Sequence, residues 1–326
     1  MSTRHVLGVD GGATKTHALV VAETGQAVGF GQGGASNHQV GGLKQAMAEV
    51  ERAVRVALDD AGLSPEDVEL GCFCLAGADL PEDYAMLQEA IEALRLVRAV
   101  IIRNDTMAAL RAGLTRPWGV VVICGTGFNA AGRAPDGREI VFPGLGIISG
   151  DWGAGTELSL EVVRLVMRAW DGRGKPTLLT RLVLEALHAP SEEILLRRLY
   201  LEGTDPGALR GIVPLLFEAA EAGDDVARGL VVQMGTEVGL SANALIRRLG
   251  LQTDDVEVVM AGSVFKGRGP LLLDTVRQVI QAEAPRARIV LPEHEPVFGA
   301  ALLALESAGV AVTPQIYEIL GRTSPV

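Results

Sequence analysis

The sequence predicts an α/β protein in which two halves share the element order β-β-β-α-β-α-β-α and enclose a ligand cleft. Three observations support this prediction. Apolar, β-branched runs alternate with stretches whose apolar residues recur every three or four positions. The order starts again after Arg116-Pro117. The length of 326 residues also exceeds the usual size of one domain. Because α/β folds bind ligands at the carboxyl ends of strands, two such halves predict a cleft enzyme.

The first half begins with a hairpin and a third strand, followed by helices that alternate with two buried strands. The predicted helix at 41–61 carries Leu43, Met47, Val50, Val54 and Leu58 on one face. Gly113 ends the last helix, and Pro117 then breaks the pattern. The predicted strands are 5–9, 16–23, 26–32, 68–75 and 98–102, and the predicted helices are 41–61, 82–94 and 105–112.

The second half repeats this order but contains a long helical region, at 156–249. Gly- and Pro-containing polar segments divide this region, so we expect a helical insertion at about 170–250. The predicted strands are 119–124, 128–133, 139–142, 256–260 and 288–291, and the later helices are 270–284 and 297–307. The expected lobes are therefore 1–116, completed by 308–326, and 117–307.

The composition limits the partners of this chain. Its net charge of −11 disfavours a nucleic-acid backbone, and an aromatic content of 4% disfavours base stacking. The chain has no apolar run of membrane length and no basic, apolar leader, so we expect a cytoplasmic protein that contacts neither membrane nor nucleic acid. Cys72, Cys74 and Cys124 lie in strand-like runs without metal-binding spacing, which predicts buried thiols.

Two glycine-rich hairpin tips are candidate phosphate sites. The first contains Asp10, Gly11, Gly12 and Thr14, and the second is Gly125-Thr-Gly127. Glycines allow close approach of the backbone, and successive N–H groups in a tight turn attract anions. Asp10 could hold Mg²⁺ through water. Ordinary glycine turns are the alternative interpretation for both tips.

Three further positions could serve a cleft. Asp105 stands where a strand meets a helix, which suits either an N-cap or a general base. The glycine-dense segment 144–155 has one charged residue, Asp151, and could admit a small polar ligand or be a flexible connection. Gly262 follows a buried strand, where a purine or simple close packing would explain a glycine.

In this order, the motifs resemble those of the sugar-kinase/actin/heat-shock-chaperone ATPase superfamily. More narrowly, they resemble the BadF/BadG/BcrA/BcrD ATPase family and its N-acetylglucosamine kinase branch, over most of the chain from Gly8 to about Ala304. The resemblance implies two actin-like (ribonuclease H-like) domains around an ATP and sugar cleft. It rests on Asp10-Gly-Gly-Ala-Thr-Lys15, Ser36-Asn-His38, Asn104-Asp-Thr106, Gly125-Thr-Gly-Phe-Asn129, Gly150-Asp-Trp-Gly153, Ala261-Gly-Ser263 and Glu295-Pro-Val-Phe-Gly-Ala300.

The resemblance also implies a role for each matching residue. Asp105 would be the base for the primary hydroxyl of the sugar, and Asp10 would organise Mg²⁺. The residues implied for ATP are Gly11, Gly12, Thr14, Lys15, Thr126, Gly127, Gly262 and Ser263. The residues implied for the sugar are Asn37, His38, Asn129, Gly144, Leu145, Gly146 and Asp151.

The chain departs from the family pattern at Ala13, Phe128 and Trp152, and the last two could reshape the sugar pocket. We therefore expect an ATP- and Mg²⁺-dependent kinase that phosphorylates N-acetylglucosamine at its 6-hydroxyl. The alternatives are a kinase for glucosamine, N-acetylmuramic acid or glucose, and an ATPase activator of a 2-hydroxyacyl-CoA dehydratase or benzoyl-CoA reductase. The buried thiols disfavour the activator, which needs cysteines for an iron–sulfur cluster. Relatives are commonly dimers, so a homodimer is expected.

Overall fold

The computed structural model describes residues 3–203, 209–266 and 269–326, and in these segments ten strands form two five-stranded sheets. In each sheet the first three strands are antiparallel neighbours, and the last two add in parallel. The first sheet has the order β3-β2-β1-β4-β5 and the second β10-β9-β6-β7-β8. The predicted α/β repeat is therefore confirmed.

The strand bounds follow the sequence closely. The first sheet contains β1 (His5–Gly11), β2 (Thr16–Ala22), β3 (Ala27–Gly33), β4 (Val68–Leu75) and β5 (Val100–Asn104). The second contains β6 (Gly119–Cys124), β7 (Phe128–Arg133), β8 (Glu139–Val141), β9 (Glu257–Ala261) and β10 (Arg288–Val290).

Helices cover both sheets. Those of the first half are α1 (His38–Gly41), α2 (Leu43–Ala61), α3 (Pro81–Leu94) and α4 (Asp105–Gly113). Those that follow the second hairpin are α5 (Gly155–Trp170), α6 (Leu178–Ala186), α7 (Glu192–Glu202), α8 (Val213–Glu221), α9 (Asp225–Leu249), α10 (Leu271–Glu283), α11 (Pro296–Ser307) and α12 (Pro314–Thr323). No helix in the described segments is both long and apolar enough to cross a membrane.

Caps explain where the long helices begin and end. The helix predicted from residue 41 starts at Leu43 because Gly42 has φ +79° and separates it from the single turn α1. Gly62 and Gly250 end α2 and α9 in the left-handed conformation, which glycine adopts without steric cost. Asp224 begins α9 by accepting a hydrogen bond from the backbone N–H of Ala227 at 2.8 Å.

Helix α11 packs on the first sheet. A Cβ atom at Gly8 would lie 2.2 Å from the backbone nitrogen of Ala301, and one at Gly299 would lie 2.0 Å from the carbonyl oxygen of Ala108. These glycines therefore allow α11 to rest directly on β1 and α4. Because α11 shares this core, we propose that the first lobe is completed from Pro296 rather than from residue 308.

Strand β5 lies two residues later than predicted, at Val100–Asn104 instead of 98–102. The preceding helix ends at Leu94 and is followed by Arg95 with a φ of +50°, and β5 then pairs Val100 with Gly71 of β4. The shift places Asn104 at the end of the strand and Asp105 at the start of α4.

Candidate active site

The first glycine turn joins β1 to β2 and is closed by a hydrogen bond from the Gly12 N–H to the Lys15 carbonyl at 2.9 Å. A Cβ atom at Gly11 would lie 2.5 Å from Ser36 Oγ, so packing alone requires glycine there. A Cβ atom at Gly12 would lie 3.5 Å from the Lys15 carbonyl oxygen, an ordinary van der Waals contact, and Thr14 is exposed. The tip of this turn can therefore receive a ligand.

The second turn joins β6 to β7. Gly125 N–H donates to the Gly127 carbonyl at 3.0 Å, and a Cβ atom at either glycine would meet nothing within 4 Å. The start of α5 supports the turn from behind, because Gly155 N–H donates to the Gly125 carbonyl at 2.9 Å and Thr156 Oγ1 donates to the Thr126 carbonyl at 3.0 Å. The turn is thus held in place while its glycines remain open.

Gly262, at the end of β9, lies against the second turn. Its φ is +105°, and a Cβ atom there would lie 2.3 Å from the Cys124 carbonyl oxygen. Both conformation and contact therefore require glycine. The adjoining cavity has a volume of about 390 Å³. Its lining combines apolar side chains with open backbone, and consists of Gly125, Thr126, Gly155, Val213, Pro214, Phe217, Glu218, Ser263, Val264 and Lys266.

Asp105 is the first residue of α4, but Asn104 is its cap. Asn104 Oδ1 accepts hydrogen bonds from the N–H of Thr106 at 3.0 Å and from its hydroxyl at 2.5 Å. Asn104 Nδ2 donates to Asp79 Oδ1 at 3.0 Å. Burial, and then the charge of Asp79, raise the pKa of Asp105 to about 6. A carboxyl with this pKa can accept a proton near neutral pH.

Asp10 is the penultimate residue of β1, which β4 separates from β5, and its carboxyl also has a perturbed pKa. Burial raises its pKa to about 7, the charge of Asp105 adds to the rise, and Lys15 opposes it. A cation beside Asp10 would relieve this cost. The described residues form no cluster of three or more His, Cys, Asp or Glu side chains that could enclose a metal. One carboxylate with water and phosphate oxygens is the coordination that Mg²⁺ prefers, so the residues present fit Mg²⁺.

The predicted sugar residues of the second lobe lie together. A Cβ atom at Gly144 would lie 2.5 Å from Asn129 Nδ2, so the loop passes directly over this side chain. Asp151, 7% exposed, accepts hydrogen bonds through Oδ2 from Gly146 N–H at 3.1 Å and from Ser149 Oγ at 2.5 Å. These bonds fix the turn that contains Leu145, which is 41% exposed.

The predicted sugar residues of the first lobe have local partners. Asn37 caps α1, and its Oδ1 accepts a hydrogen bond from Gln39 N–H at 2.8 Å. His38 Nε2 lies 3.5 Å from Asp83 Oδ1, while its buried Nδ1 has no hydrogen-bond partner. Asn37 retains its amide nitrogen for a ligand, so its role and that of His38 stay predictions.

Lys15 is paired at the edge of the cleft. Its Nζ lies 2.9 Å from Glu295 Oε2, at the N-terminus of α11. Both residues line a second cavity of about 810 Å³, which also contacts Gly262, Ser263 and Lys266. A phosphate that binds Lys15 must therefore compete with Glu295 or bind beside the pair.

The structure adds site residues that were not predicted. Val213, Pro214 and Phe217 of α8 face Gly125 across the first cavity, although they are distant in the sequence. Glu157 has a buried Oε2 without a hydrogen-bond partner, and burial raises its pKa. No local sequence motif indicates that α8 lines the site. Glu157 could have been predicted, because it lies in the first turn of the helix that follows the glycine-dense loop.

The expectation that Phe128 and Trp152 reshape the sugar pocket stays a prediction. Phe128 is 6% exposed and belongs to the core of the second lobe, where Trp152 packs partly buried against the same core. The alternation of β7 turns Phe128 inward and leaves the neighbouring Asn129 at the loop. Cys72, Cys74 and Cys124 are free and buried, as predicted.

Comparison with known proteins agrees with this geometry. The model of the BadF/BadG/BcrA/BcrD ATPase family matches residues 7–304. The chain belongs to this family. An N-acetyl-D-glucosamine kinase of Dictyostelium discoideum is 31% identical to this family member over 320 residues, which cover 94% of the chain and 99% of the relative. An N-acetylmuramic acid/N-acetylglucosamine kinase of Clostridium acetobutylicum is 27% identical over 92% of the chain and 98% of the relative.

Solved structures show the same fold. A candidate N-acetylglucosamine kinase from Chromobacterium violaceum superimposes with a TM-score of 0.69 at 25% identity, covering 92% of this ATPase-family chain and 99% of the other. A ROK family glucokinase from Streptomyces griseus, in complex with glucose and AMPPNP, gives a TM-score of 0.57 at 20% identity over 93% and 99% of the two chains. The actin-like architecture expected from the resemblance is therefore confirmed.

Proposed function

We propose that the protein is an ATP- and Mg²⁺-dependent kinase that phosphorylates the 6-hydroxyl of N-acetylglucosamine. The observation that carries the proposal is the carboxyl of Asp105 at the start of α4, where Asn104 and not Asp105 supplies the helix cap. It stands at the carboxyl end of β5, in the same sheet as the first glycine turn. The kinase relatives named above support the sugar class.

The reaction would need little beyond positioning and charge stabilisation. Asp105 would take the proton of the sugar hydroxyl as its oxygen forms a bond to the γ-phosphorus and the bond to ADP breaks. The N–H groups near Gly12 and Gly127 would hold the phosphate oxygens from opposite lobes. The cavity between Gly125 and Phe217 would hold the adenosine.

Asp10 would hold Mg²⁺, which would neutralise charge on the phosphates when bound. The raised pKa of the Asp10 carboxyl supports this assignment, because an opposite charge nearby reverses such a shift. Lys15, 2.9 Å from Glu295, would contribute at the edge of the phosphates.

Asn129 and Asp151 would bind sugar hydroxyls and the N-acyl group, with Asn37 and His38 on the opposite lobe. The backbone of Gly144, Leu145 and Gly146 would complete this pocket. The contact between Asn129 and Gly144 supports one shared site in the second lobe. We further propose that the protein is a cytoplasmic homodimer. Light scattering after gel filtration measures the mass of the assembly and so tests the dimer.

The experiment is ATP consumption with Mg²⁺ across a panel of sugars, with a control that lacks sugar. The panel contains N-acetylglucosamine, glucosamine, N-acetylmannosamine, N-acetylmuramic acid and glucose. Stimulation by N-acetylglucosamine supports the proposal, and stronger stimulation by another sugar reassigns the acceptor. Hydrolysis that is independent of sugar, together with iron in protein purified without oxygen, overturns the proposal in favour of an electron-transfer activator.

A further inference from the structure

A chain of ion pairs connects the two lobes beside the candidate site. Arg103 Nη1 lies 2.8 Å from Glu139 Oε2, and Arg133 Nε lies 3.5 Å from Glu139 Oε1. Arg133 Nη1 then lies 3.7 Å from Glu306 Oε2, whose other oxygen is 2.9 Å from Arg111 Nε. We call these five residues the interlobe chain.

The interlobe chain crosses between lobes twice. Arg103 lies on β5, the edge strand of the first sheet, and Glu139 lies on β8, the edge strand of the second. Arg133 pairs with Glu139 across the β7–β8 ladder. Glu306 lies on α11, which packs on the first sheet. The charges alternate in sign along the interlobe chain. Glu139, Arg133 and Glu306 therefore each lie beside two residues of opposite charge.

The two ends of the interlobe chain differ in burial. Arg111 is 4% exposed and also donates to the Leu114 carbonyl at 3.1 Å, at the end of α4 where the chain leaves the first lobe. The side chains of Arg103 and Glu139 are 35% and 21% exposed to solvent. The arginines at the two ends therefore differ, because Arg111 is held in the interior while Arg103 is about one third exposed. The Arg103–Glu139 pair is thus partly buried.

Arg103 and Glu139 each lie close in sequence to candidate site residues of their own lobe. Arg103 is two residues before Asp105, and Glu139 begins the strand that leads to the loop with Gly144 and Asp151. We infer that Arg103 and Glu139 are positioning residues, whose ion pair sets the separation between the Asp105 carboxyl and the sugar loop of the opposite lobe. This inference rests on the proposed kinase function.

The first test is a double-mutant cycle with Arg103→Gln and Glu139→Gln. Each single variant should lower kcat/KM for the sugar about tenfold, through both a lower kcat and a higher sugar KM. The Kd for adenosine should not change, because the cavity assigned to it is lined by the second half of the chain alone. The double variant should be no worse than the worse single one, because one interaction is lost in all three. Arg103→Lys should recover most of the loss.

The matched control is Arg138→Gln, which removes an arginine one residue from Glu139. Arg138 pairs with Asp136 in the same hairpin, at 2.8 Å, and bridges no lobes. It should leave the kinetic constants unchanged. Effects of Arg103→Gln and Glu139→Gln that simply multiply in the double variant would overturn the inference, and so would single variants with wild-type kinetics.

A distance measurement separates this inference from the kinase proposal. Spin labels at Arg52→Cys and Arg181→Cys report one exposed site on each lobe, and the native cysteines are fully buried. Pulsed dipolar spectroscopy should show a broader interlobe distribution for Arg103→Gln and Glu139→Gln than for Arg138→Gln. Identical distributions would overturn the inference. A wild-type protein that no sugar stimulates would overturn the kinase function, while the distances still decide the role of the ion pair.

Discussion

Asn104 caps helix α4 with its side chain, so that Asp105, the first residue of the helix, is not its N-cap. The Asn104 Oδ1 atom accepts from Thr106, while its Nδ2 donates to Ala78 and Asp79. Both ends of the amide are therefore used, and Asn104 is fully buried. Asparagine and aspartate are both preferred helix caps, and here asparagine fills that position. The proposed role of Asp105 in the cleft is compatible with this arrangement.

Asp105→Asn should abolish most turnover while ATP still binds. A positioned general base contributes roughly 10²–10⁴-fold, and the amide cannot accept the proton. Sugar-dependent ATP consumption and equilibrium ATP binding, measured on the same preparation, check this. Asn104→Ala is the informative companion, because it should weaken the helix and the position of Asp105 together. Unchanged turnover in Asp105→Asn would remove Asp105 from the mechanism.

The pH dependence should report the same carboxyl. Since the pKa of Asp105 is about 6, its basic form is lost below that pH, and kcat/KM should fall about tenfold per pH unit on the acid side. Asp79→Asn removes a charge that raises this pKa, so the acid limb should move to lower pH. A limb that does not move in Asp79→Asn would contradict the assignment.

Asp10→Asn should stabilise the ligand-free protein and remove its response to Mg²⁺. Burial raises the pKa of Asp10 from 3.8 to about 7, so the folded state disfavours its charged form. This cost is absent below the ordinary pKa, grows as the pH rises, and is complete above about 7. The melting temperature should therefore rise by roughly 2–5 °C at pH 8 and hardly at pH 4. Asp59→Asn, on the exposed face of α2, is the control.

Gly262→Ala should damage both folding and nucleotide binding. The new Cβ atom would lie 2.3 Å from the Cys124 carbonyl oxygen, and the positive φ adds strain. We expect a loss of more than about 2 kcal/mol in the free energy of unfolding and weaker ATP binding. Gly250→Ala has a similar φ of +76° but meets nothing within 4 Å, so it should cost only about 1 kcal/mol and leave ATP binding intact. Equal effects of the two variants would contradict the proposed contact.

The sequence predicted those parts of the fold that local chemistry determines. Strands β4, β6 and β7 have their predicted bounds, because strand-like segments rich in apolar residues are bounded there by turns or polar residues. Strand β5 was displaced because its register depends on β4, which no local pattern reveals. The proposal that helix α11 completes the first lobe likewise rests on a distant contact, that of Ala301 with Gly8.

The candidate site likewise contains residues that the sequence reveals and residues that it does not. The glycine turns and Asp105 could be identified because conformation and element junctions leave a signature in neighbouring residues. The α8 wall around Phe217 could not, because it reaches Gly125 only through the packing of the helical insertion. The burial of Phe128 follows from strand alternation, which its position beside a motif does not reveal.

The most direct test of the central claim is to follow the phosphoryl group itself. Wild-type protein is mixed with Mg²⁺, ATP and N-acetylglucosamine, and the products are observed by phosphorus and carbon NMR. The account predicts one sugar phosphate for each ADP formed, with the phosphate on the 6-oxygen. Inorganic phosphate beside unmodified sugar, or a phosphate on another oxygen, would contradict it.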